Sequence, residues 1–341
     1  MKRLSIIFVV VIVCSCERLN LEVSTQEDTP SLESMEDGLL PYIQEFMALY
    51  NSIEEKDTFL YFTDPHLLGY DDVFTSSNQR YLIDSFNSVR FLYNKLPFSF
   101  CLCGGDWLNS GDSQSTAILK LNYVDAQMKE WFQPYYKMMG NHDYNYQGFV
   151  SKDNSQRGDL GFEYINNVYF SQFGKSYYSF KGQNTVFYIL DSGIDWEPQI
   201  NDYRSEQLFW LANQLKTNTA EHIVIGIHMF YNEKVADNKP MPFSVELVSL
   251  CNAFNSRSTY VYHESSFDFR DSEGVVHFFL SGHNHIDYNT LYNGIPIVGS
   301  SRFIKNDIPT FDLCVIDYDN NRLELVRVGY GKSRCVDFYV Q

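Results

Sequence analysis

Seven side chains able to bind a metal stand directly after short apolar runs. Leu60-Tyr61-Phe62-Thr63 leads into Asp64-Pro65-His66, and Phe100-Cys101-Leu102-Cys103 leads into Gly104-Gly105-Asp106. Lys137-Met138-Met139 leads into Gly140-Asn141-His142-Asp143. Ile225-Gly226-Ile227 ends at His228, and Phe279-Leu280-Ser281 ends at Gly282-His283-Asn284-His285. Imidazole, carboxylate and amide oxygen form a borderline donor set, which suits Mn, Fe, Zn, Co or Ni better than Ca. The set holds no Cys, which argues against a structural zinc site. Seven ligands exceed the needs of one tetrahedral ion. They suit two ions roughly 3.5–4 Å apart that share a carboxylate. Gly105, Gly140 and Gly282 precede three of the groups and allow sharp turns and close backbone approach.

Such residues need a scaffold that delivers them to one place. The β-rich runs Thr58–Thr63, Phe98–Leu102, Tyr135–Met139, Thr185–Leu190, His222–Ile227 and Val275–Leu280 are bounded by Gly, Asp or Asn and predict strands. Helical periodicity runs through Leu40, Ile43, Phe46, Met47 and Tyr50, and again over Asn78–Lys95 and Tyr203–Lys216. Ser113–Phe132 follows an Asp112/Ser113 cap signal. The alternation predicts a layered α/β domain with a largely buried sheet. Ile295–Val298, Leu313–Tyr318 and Leu323–Val328 predict a closing antiparallel part, with a turn at Asp319-Asn320-Asn321. In open α/β sheets the carboxyl ends of strands form the ligand crevice, so five strand ends are expected to build one site.

The ordered blocks Asp64-x-His66, Gly105-Asp106, Gly140-Asn141-His142-Asp143, His228 and Gly282-His283-x-His285 resemble the calcineurin-like metallophosphoesterase superfamily. They run from residue 64 to residue 285, and all five stand in the family's order. The resemblance implies a four-layer α/β/β/α sandwich with two mixed β-sheets. It implies one metal on Asp64, His66 and His285, a second on Asn141, His228 and His283, and Asp106 bridging both. His142 matches the family's non-ligand histidine near the leaving group. The implied cofactors are two divalent transition-metal ions (Mn, Fe, Zn or Co). The implied reaction is hydrolysis of a small phosphomonoester or phosphodiester by a metal-bridging hydroxide, with Asp106 and His142 as the catalytic pair. The alternatives are a phosphodiesterase or nucleotide-specific member, or a catalytically silent binding lipoprotein on the same scaffold. Asn109 departs from two branches: it replaces the tyrosine that binds iron in purple acid phosphatases and the aspartate that supports histidine in Ser/Thr phosphatases. It is left as a neutral hydrogen-bond candidate. Asp143 is expected to orient His142 or to cap the following loop, and Tyr144 to line a substrate face.

The N-terminus reads as an address. Met1-Lys2-Arg3 is a basic start, and Leu4–Val13 is an apolar run shorter than the ~20 residues a spanning helix needs. Val13-Cys14-Ser15-Cys16 resembles a bacterial lipobox, with Cys16 as the lipidated residue. Residues 1–16 are therefore expected to be a signal peptide, 17–38 a flexible acidic tether and 39–341 one domain. The protein is expected to be exported and lipid-anchored at a bacterial membrane, on the periplasmic face or the cell surface. The 341 residues carry 26 Lys+Arg against 43 Asp+Glu, a net −17. That balance disfavours a nucleic-acid polymer as partner, because binding one requires phosphate neutralisation. The expected partners are a small phosphorylated substrate and, through the anchor alone, a membrane.

Other polar and aromatic residues have blander expectations. Cys101 and Cys103 share a strand face as core thiols. His222 and His277 read as structural, His263 as exposed in a loop-like Ser256–Glu273 stretch, and Asp191 as a turn former. Trp107 fits either a pocket wall or the core. Tyr146, Phe149, Phe230 and Tyr231 fit either a substrate face or packing, and Arg80 and Arg302 fit phosphate clamps or surface ion pairs.

Overall fold

A computed structural model describes residues 32–66, 77–146, 159–193, 200–231, 239–306 and 308–338. The proposed signal peptide with Cys16, residues 17–31 of the tether, Phe149 and the Arg80 side chain lie outside the described residues. The first half contains α1 (Leu32–Ser52), β1 (Lys56–Phe62), α2 (Ser77–Lys95), β2 (Phe100–Cys103), α3 (Gln114–Trp131), β3 (Tyr135–Lys137), a single turn α4 (Phe162–Tyr164), β4 (Tyr178–Lys181) and β5 (Thr185–Leu190). The second contains α5 (Ile200–Lys216), β6 (His222–Ile227), α6 (Pro242–Asn255), β7 (Thr259–Tyr262), β8 (Ser265–Asp268), β9 (Val275–Ser281), β10 (Tyr288–Tyr292) and β11 (Ile295–Gly299). It closes with the two-residue strands β12 (Ile304–Lys305) and β13 (Ile308–Pro309), then β14 (Phe311–Asp317), β15 (Arg322–Val328) and β16 (Arg334–Asp337).

Two six-stranded mixed sheets result, in the orders β16-β15-β14-β1-β2-β3 and β10-β11-β9-β6-β5-β4. Strands β1, β2 and β3 run parallel, as do β5, β6, β9 and β11. The C-terminal strands β14, β15 and β16 extend the first sheet from β1, each antiparallel to the one before it, as the tail pattern predicts for Leu313–Tyr318 and Leu323–Val328. Ile295–Val298 departs from that pattern: as β11 it joins the second sheet and runs parallel to β9.

Alternation along β5 and β6 assigns the layers. Phe187, Ile189 and Val224 belong to the core shared with the first sheet. Their neighbours Val186, Tyr188, Leu190, Ile223 and Ile225 belong to a second core with Leu208 and Leu211 of α5 and Leu247 and Phe254 of α6. Strand side chains point alternately to opposite faces, so one apolar strand serves two layers. Phe59 and Phe100 of the first sheet meet Phe187 of the second edge-on, with centroids 5.7 Å and 5.0 Å away. The expected α/β/β/α sandwich with two mixed sheets is the observed one.

Two local expectations need correction. α1 starts at Leu32, inside the segment read as tether. The Ser256–Glu273 stretch is a hairpin, β7 paired with β8, and His263 sits exposed and left-handed in its turn. α6 is a helix beyond those expected, with Pro242 at its first turn and Phe243, Leu247, Leu250 and Phe254 buried at helical spacing. The Ser113 cap is as expected, its hydroxyl accepting the Thr116 N–H at 3.2 Å, while Asp112 instead pairs with buried Lys120 at 2.7 Å.

Candidate metal centre

The parallel strands bring the five blocks to one rim. Asp64 and His66 follow β1, Asp106 follows β2, Asn141 and His142 follow β3, His228 follows β6, and His283 and His285 follow β9. Asp64, His66 and His285 place ligand atoms within 4.8 Å of one another, and so do Asp106, His228 and His283. Asn141 Oδ1 joins the second group, 2.9 Å from His283 Nδ1. Asp106 Oδ2 lies 3.0 Å from His228 Nε2 and 3.8 Å from His66 Nε2, so one carboxylate oxygen faces both groups.

The ligand atoms of each group crowd together. Asp106 Oδ2 and His228 Nε2 are buried, and neither has a hydrogen-bond partner among the described residues despite their proximity. His66 Nε2 and His285 Nε2 approach to 2.9 Å, with Asp64 Oδ1 3.2 Å from the latter. Buried polar atoms without partners are costly unless something else satisfies them. Two divalent cations, one per group, fit this donor set.

Backbone carbonyls set the imidazole tautomers. His66 Nδ1–H donates to the Leu108 carbonyl at 3.0 Å and His228 Nδ1–H to that of Gly104 at 2.6 Å. Each ring is thereby left with Nε2 as its ligand atom. The carboxylates are anchored too: Thr63 donates to Asp64 Oδ2 at 2.7 Å, and the His142 N–H to Asp106 Oδ1 at 2.8 Å.

Electrostatics follow from burial and closeness. Burial opposes ionisation of Asp106, but His228, His142 and His66 outweigh it and hold the carboxyl well below the usual carboxylate range. Burial likewise opposes charge on His228, yet Asp106 and Asp64 raise it to about 10. Burial pulls His66 down, which favours the neutral form that a metal needs.

The backbone here is strained. Asp64, His66, Asp106, His283 and His285 all adopt positive φ, between 42° and 69°. Each such residue costs on the order of 1 kcal/mol and persists only where its surroundings enforce it. Two glycines make the crowding possible. A Cβ on Gly140 would stand 2.1 Å from Asp106 Oδ1, and one on Gly282 would stand 2.2 Å from Thr63 Oγ1.

A calcineurin-like phosphoesterase family model matches residues 58–287. The chain belongs to the calcineurin-like phosphoesterase family. This phosphoesterase is similar in structure to a dimetal phosphatase from Danio rerio, at 12% identity and a TM-score of 0.53. That alignment covers 83% of this chain and 99% of the other, and at such identity it speaks for the fold. A purple acid phosphatase from yellow lupin seeds gives 13% identity and a TM-score of 0.48 over 84% of this chain and 53% of its own. No curated protein matches by sequence.

Around the ligand groups of this phosphoesterase, the structure reassigns three candidates. Asn109 is exposed, and the hydroxyl that meets His142 Nδ1, at 3.0 Å, belongs to Ser110. Asp143 neither orients the His142 ring nor caps the following loop. Its carboxylate accepts the N–H groups of Asp106, Leu108 and Gly140 at 2.9, 3.0 and 3.0 Å. Tyr144 points into the core and donates to Asp191 Oδ2, while Asp191 Oδ1 accepts the Gly193 N–H in a tight turn. Trp107 is fully buried and stacks on Phe86, so it packs the core. Phe230 and Tyr231 are buried as well. Arg302 donates to the Ile304 carbonyl, and His222 and His277 pair at 2.9 Å below Tyr318. Thr63, which donates to Asp64, and Ser110, which meets His142, are not among the expected site residues. A lone hydroxyl beside a ligand or a turn carries no spacing signal.

Proposed function

We propose that the protein is a dinuclear metal-dependent hydrolase of small phosphoric esters. The observation that carries this reading is Asp106 Oδ2, buried, without a hydrogen-bond partner among the described residues and set between His228 Nε2 at 3.0 Å and His66 Nε2 at 3.8 Å, so that it faces both ligand groups. Asp64, His66 and His285 would hold one divalent ion, Asn141, His228 and His283 the other, and Asp106 both. When bound, two such ions supply a nucleophile from water near neutral pH and neutralise charge on the phosphoryl oxygens.

The chain's own groups do the rest. Leu108 and Gly104 carbonyls hold the His66 and His228 rings in the tautomer that presents Nε2. Ser110 donates its hydroxyl proton to the His142 carbonyl at 3.2 Å, so its oxygen accepts the His142 Nδ1–H. Proton exchange with substrate then falls to Nε2. In its protonated form His142 neutralises the departing alkoxide by giving up that proton.

The reading also includes export and a lipid on Cys16, supported by the basic start, the short apolar run and the lipobox-like Val13–Cys16. Cys16→Ser should move the protein from the membrane to the soluble fraction.

The deciding experiment assays the purified protein on mono- and bis-aryl phosphates with Mn, Zn, Co or Mg added. Metal-dependent hydrolysis is expected in the wild type, with the ester preference read from the two rates. Asp106→Asn should abolish it and leave the circular dichroism spectrum intact. Full activity in that variant would sink the reading.

A further inference from the structure

Behind the ligand groups lies a partly buried ion network that the proposed chemistry does not use. Arg327 of β15 is 2% exposed and Asp312 of β14 is fully buried. The Arg327 guanidinium binds Asp287 and lies 3.1 Å from Asp312 Oδ2. Arg334 of β16 repeats the pattern, 2.7 Å from Asp287 and 3.3 Å from Asp312, and also donates to the Gly299 carbonyl and Ser300 hydroxyl at 2.9 Å. Asp287 follows β9, two residues past His285. Its carboxylate accepts the Ser301 N–H at 2.9 Å. The Ser301 hydroxyl and the Lys305 ammonium both donate to the His285 carbonyl, at 3.2 and 2.9 Å.

Stability alone is a poor reason for this arrangement. Desolvating the Arg327 guanidinium and the Asp312 carboxylate offsets much of their attraction, Arg334 and Asp287 being only partly buried, and apolar replacements of buried ion pairs often cost nothing. What the network does supply is position. It crosses from the C-terminal strands of the first sheet to the β9–β10 loop of the second. It ends on His285, whose φ of 55° must be enforced from outside.

We infer that Asp287, Ser301 and Lys305 are positioning residues for the His285 metal site, and that Arg327 and Arg334 hold Asp287 in place. The inference rests on the dinuclear reading above. It makes the C-terminal strands part of the metal centre although they contribute no ligand.

The test is metal binding, independent of turnover. Metal-free full-length protein is dialysed against graded Zn(II) or Mn(II), and bound metal per chain is measured. The wild type should bind two equivalents. Asp287→Ala and the double variant Ser301→Ala/Lys305→Met should weaken one equivalent about 10- to 100-fold, the usual effect of losing an outer partner of a ligand, and leave the other unchanged. If Asp287→Ala does not fold, the double variant carries the test, because it removes only the two donors to the His285 carbonyl. A folded double variant that binds both equivalents as the wild type does overturns the inference. So does equal weakening of both equivalents with a lowered melting temperature, which marks a general structural role. Fewer than two equivalents in the wild type would instead count against the dinuclear reading itself.

Discussion

The Asp143 carboxylate holds the backbone of Asp106, accepting its N–H at 2.9 Å. The same group takes the N–H of Leu108 and of Gly140, so one side chain ties the loop after β2 to the loop after β3. A buried carboxylate with three amide donors is a structural node. Asn in its place keeps one oxygen but turns an amide N–H₂ toward backbone donors, leaving at least one of them unpaired. Asp143→Asn should therefore cost about 1–3 kcal/mol in urea unfolding of the metal-free protein. Burial, reinforced by Asp106, pushes the Asp143 carboxyl up to about 7. A raised folded pKa contributes stability that is complete below the unfolded value near 4 and lost as pH rises through about 7. The wild type should thus show a stability loss over that window that the Asn variant lacks. Parallel pH profiles for the two proteins would refute the assignment.

The same turn explains what the sequence could and could not reveal. Ligand types, their order and their places at strand ends were legible, because apolar runs of strand length end in polar groups only where a strand leaves the core. The outward or inward sense of His142, Asp143 and Tyr144 was not. These residues form one 3-10 turn, in which successive side chains point about 120° apart. His142 therefore meets Ser110, Asp143 turns under the Asp106 loop and Tyr144 enters the core toward Asp191. Likewise the left-handed residue at Ser110 redirects the loop, so that the expected contact of Asn109 moves one residue on. The charged network behind His285 was hidden for another reason. Asp287, Asp312, Arg327 and Arg334 are brought into their ion pairs by the packing of strands, not by any spacing along the chain.

Gly140 offers a test of crowding. An added Cβ would lie 2.1 Å from Asp106 Oδ1 and 2.2 Å from Asp106 N. The second contact is backbone, so no rotamer change relieves it. Gly140→Ala should displace Asp106 by a sizeable fraction of an ångström and lower kcat about 100-fold, the scale of effect expected from such misplacement. Metal analysis of the variant should show reduced occupancy. Wild-type rate and occupancy together would show that the loop yields freely.

Metal uptake should expel protons. In the metal-free protein burial disfavours charge on His228, but Asp106 and Asp64 override it and raise the imidazole to about 10. An imidazole must be neutral to bind a metal, so binding competes with that proton. Affinity for the second metal should rise about tenfold per pH unit between pH 7 and 9. Stability of the metal-free protein runs the other way. With its folded pKa raised, His228 contributes fully below its unfolded value near 6.5, and that contribution fades as pH rises through about 10. Dissociation constants measured across this range check both trends, and a pH-independent affinity would remove the basis for the argument.

The role of His142 is best read from leaving groups. Ser110 accepts its Nδ1–H at 3.0 Å and donates to its carbonyl at 3.2 Å, which fixes both ring orientation and tautomer. If Nε2 delivers a proton to the departing oxygen, the benefit grows with the basicity of that oxygen. His142→Ala should slow esters of aliphatic alcohols by about 10²–10⁴, the usual worth of a general acid. It should slow nitrophenyl esters far less, since nitrophenolate leaves without help. Ser110→Ala should show the same dependence on the leaving group with a loss of about tenfold, because the ring is kept while its orientation is loosened. The measurement is kcat across a series of phosphate esters of graded alcohol pKa. A steeper slope in both variants supports proton donation by His142. A uniform loss across the series would mean that His142 acts on the phosphoryl oxygens in place of the leaving group.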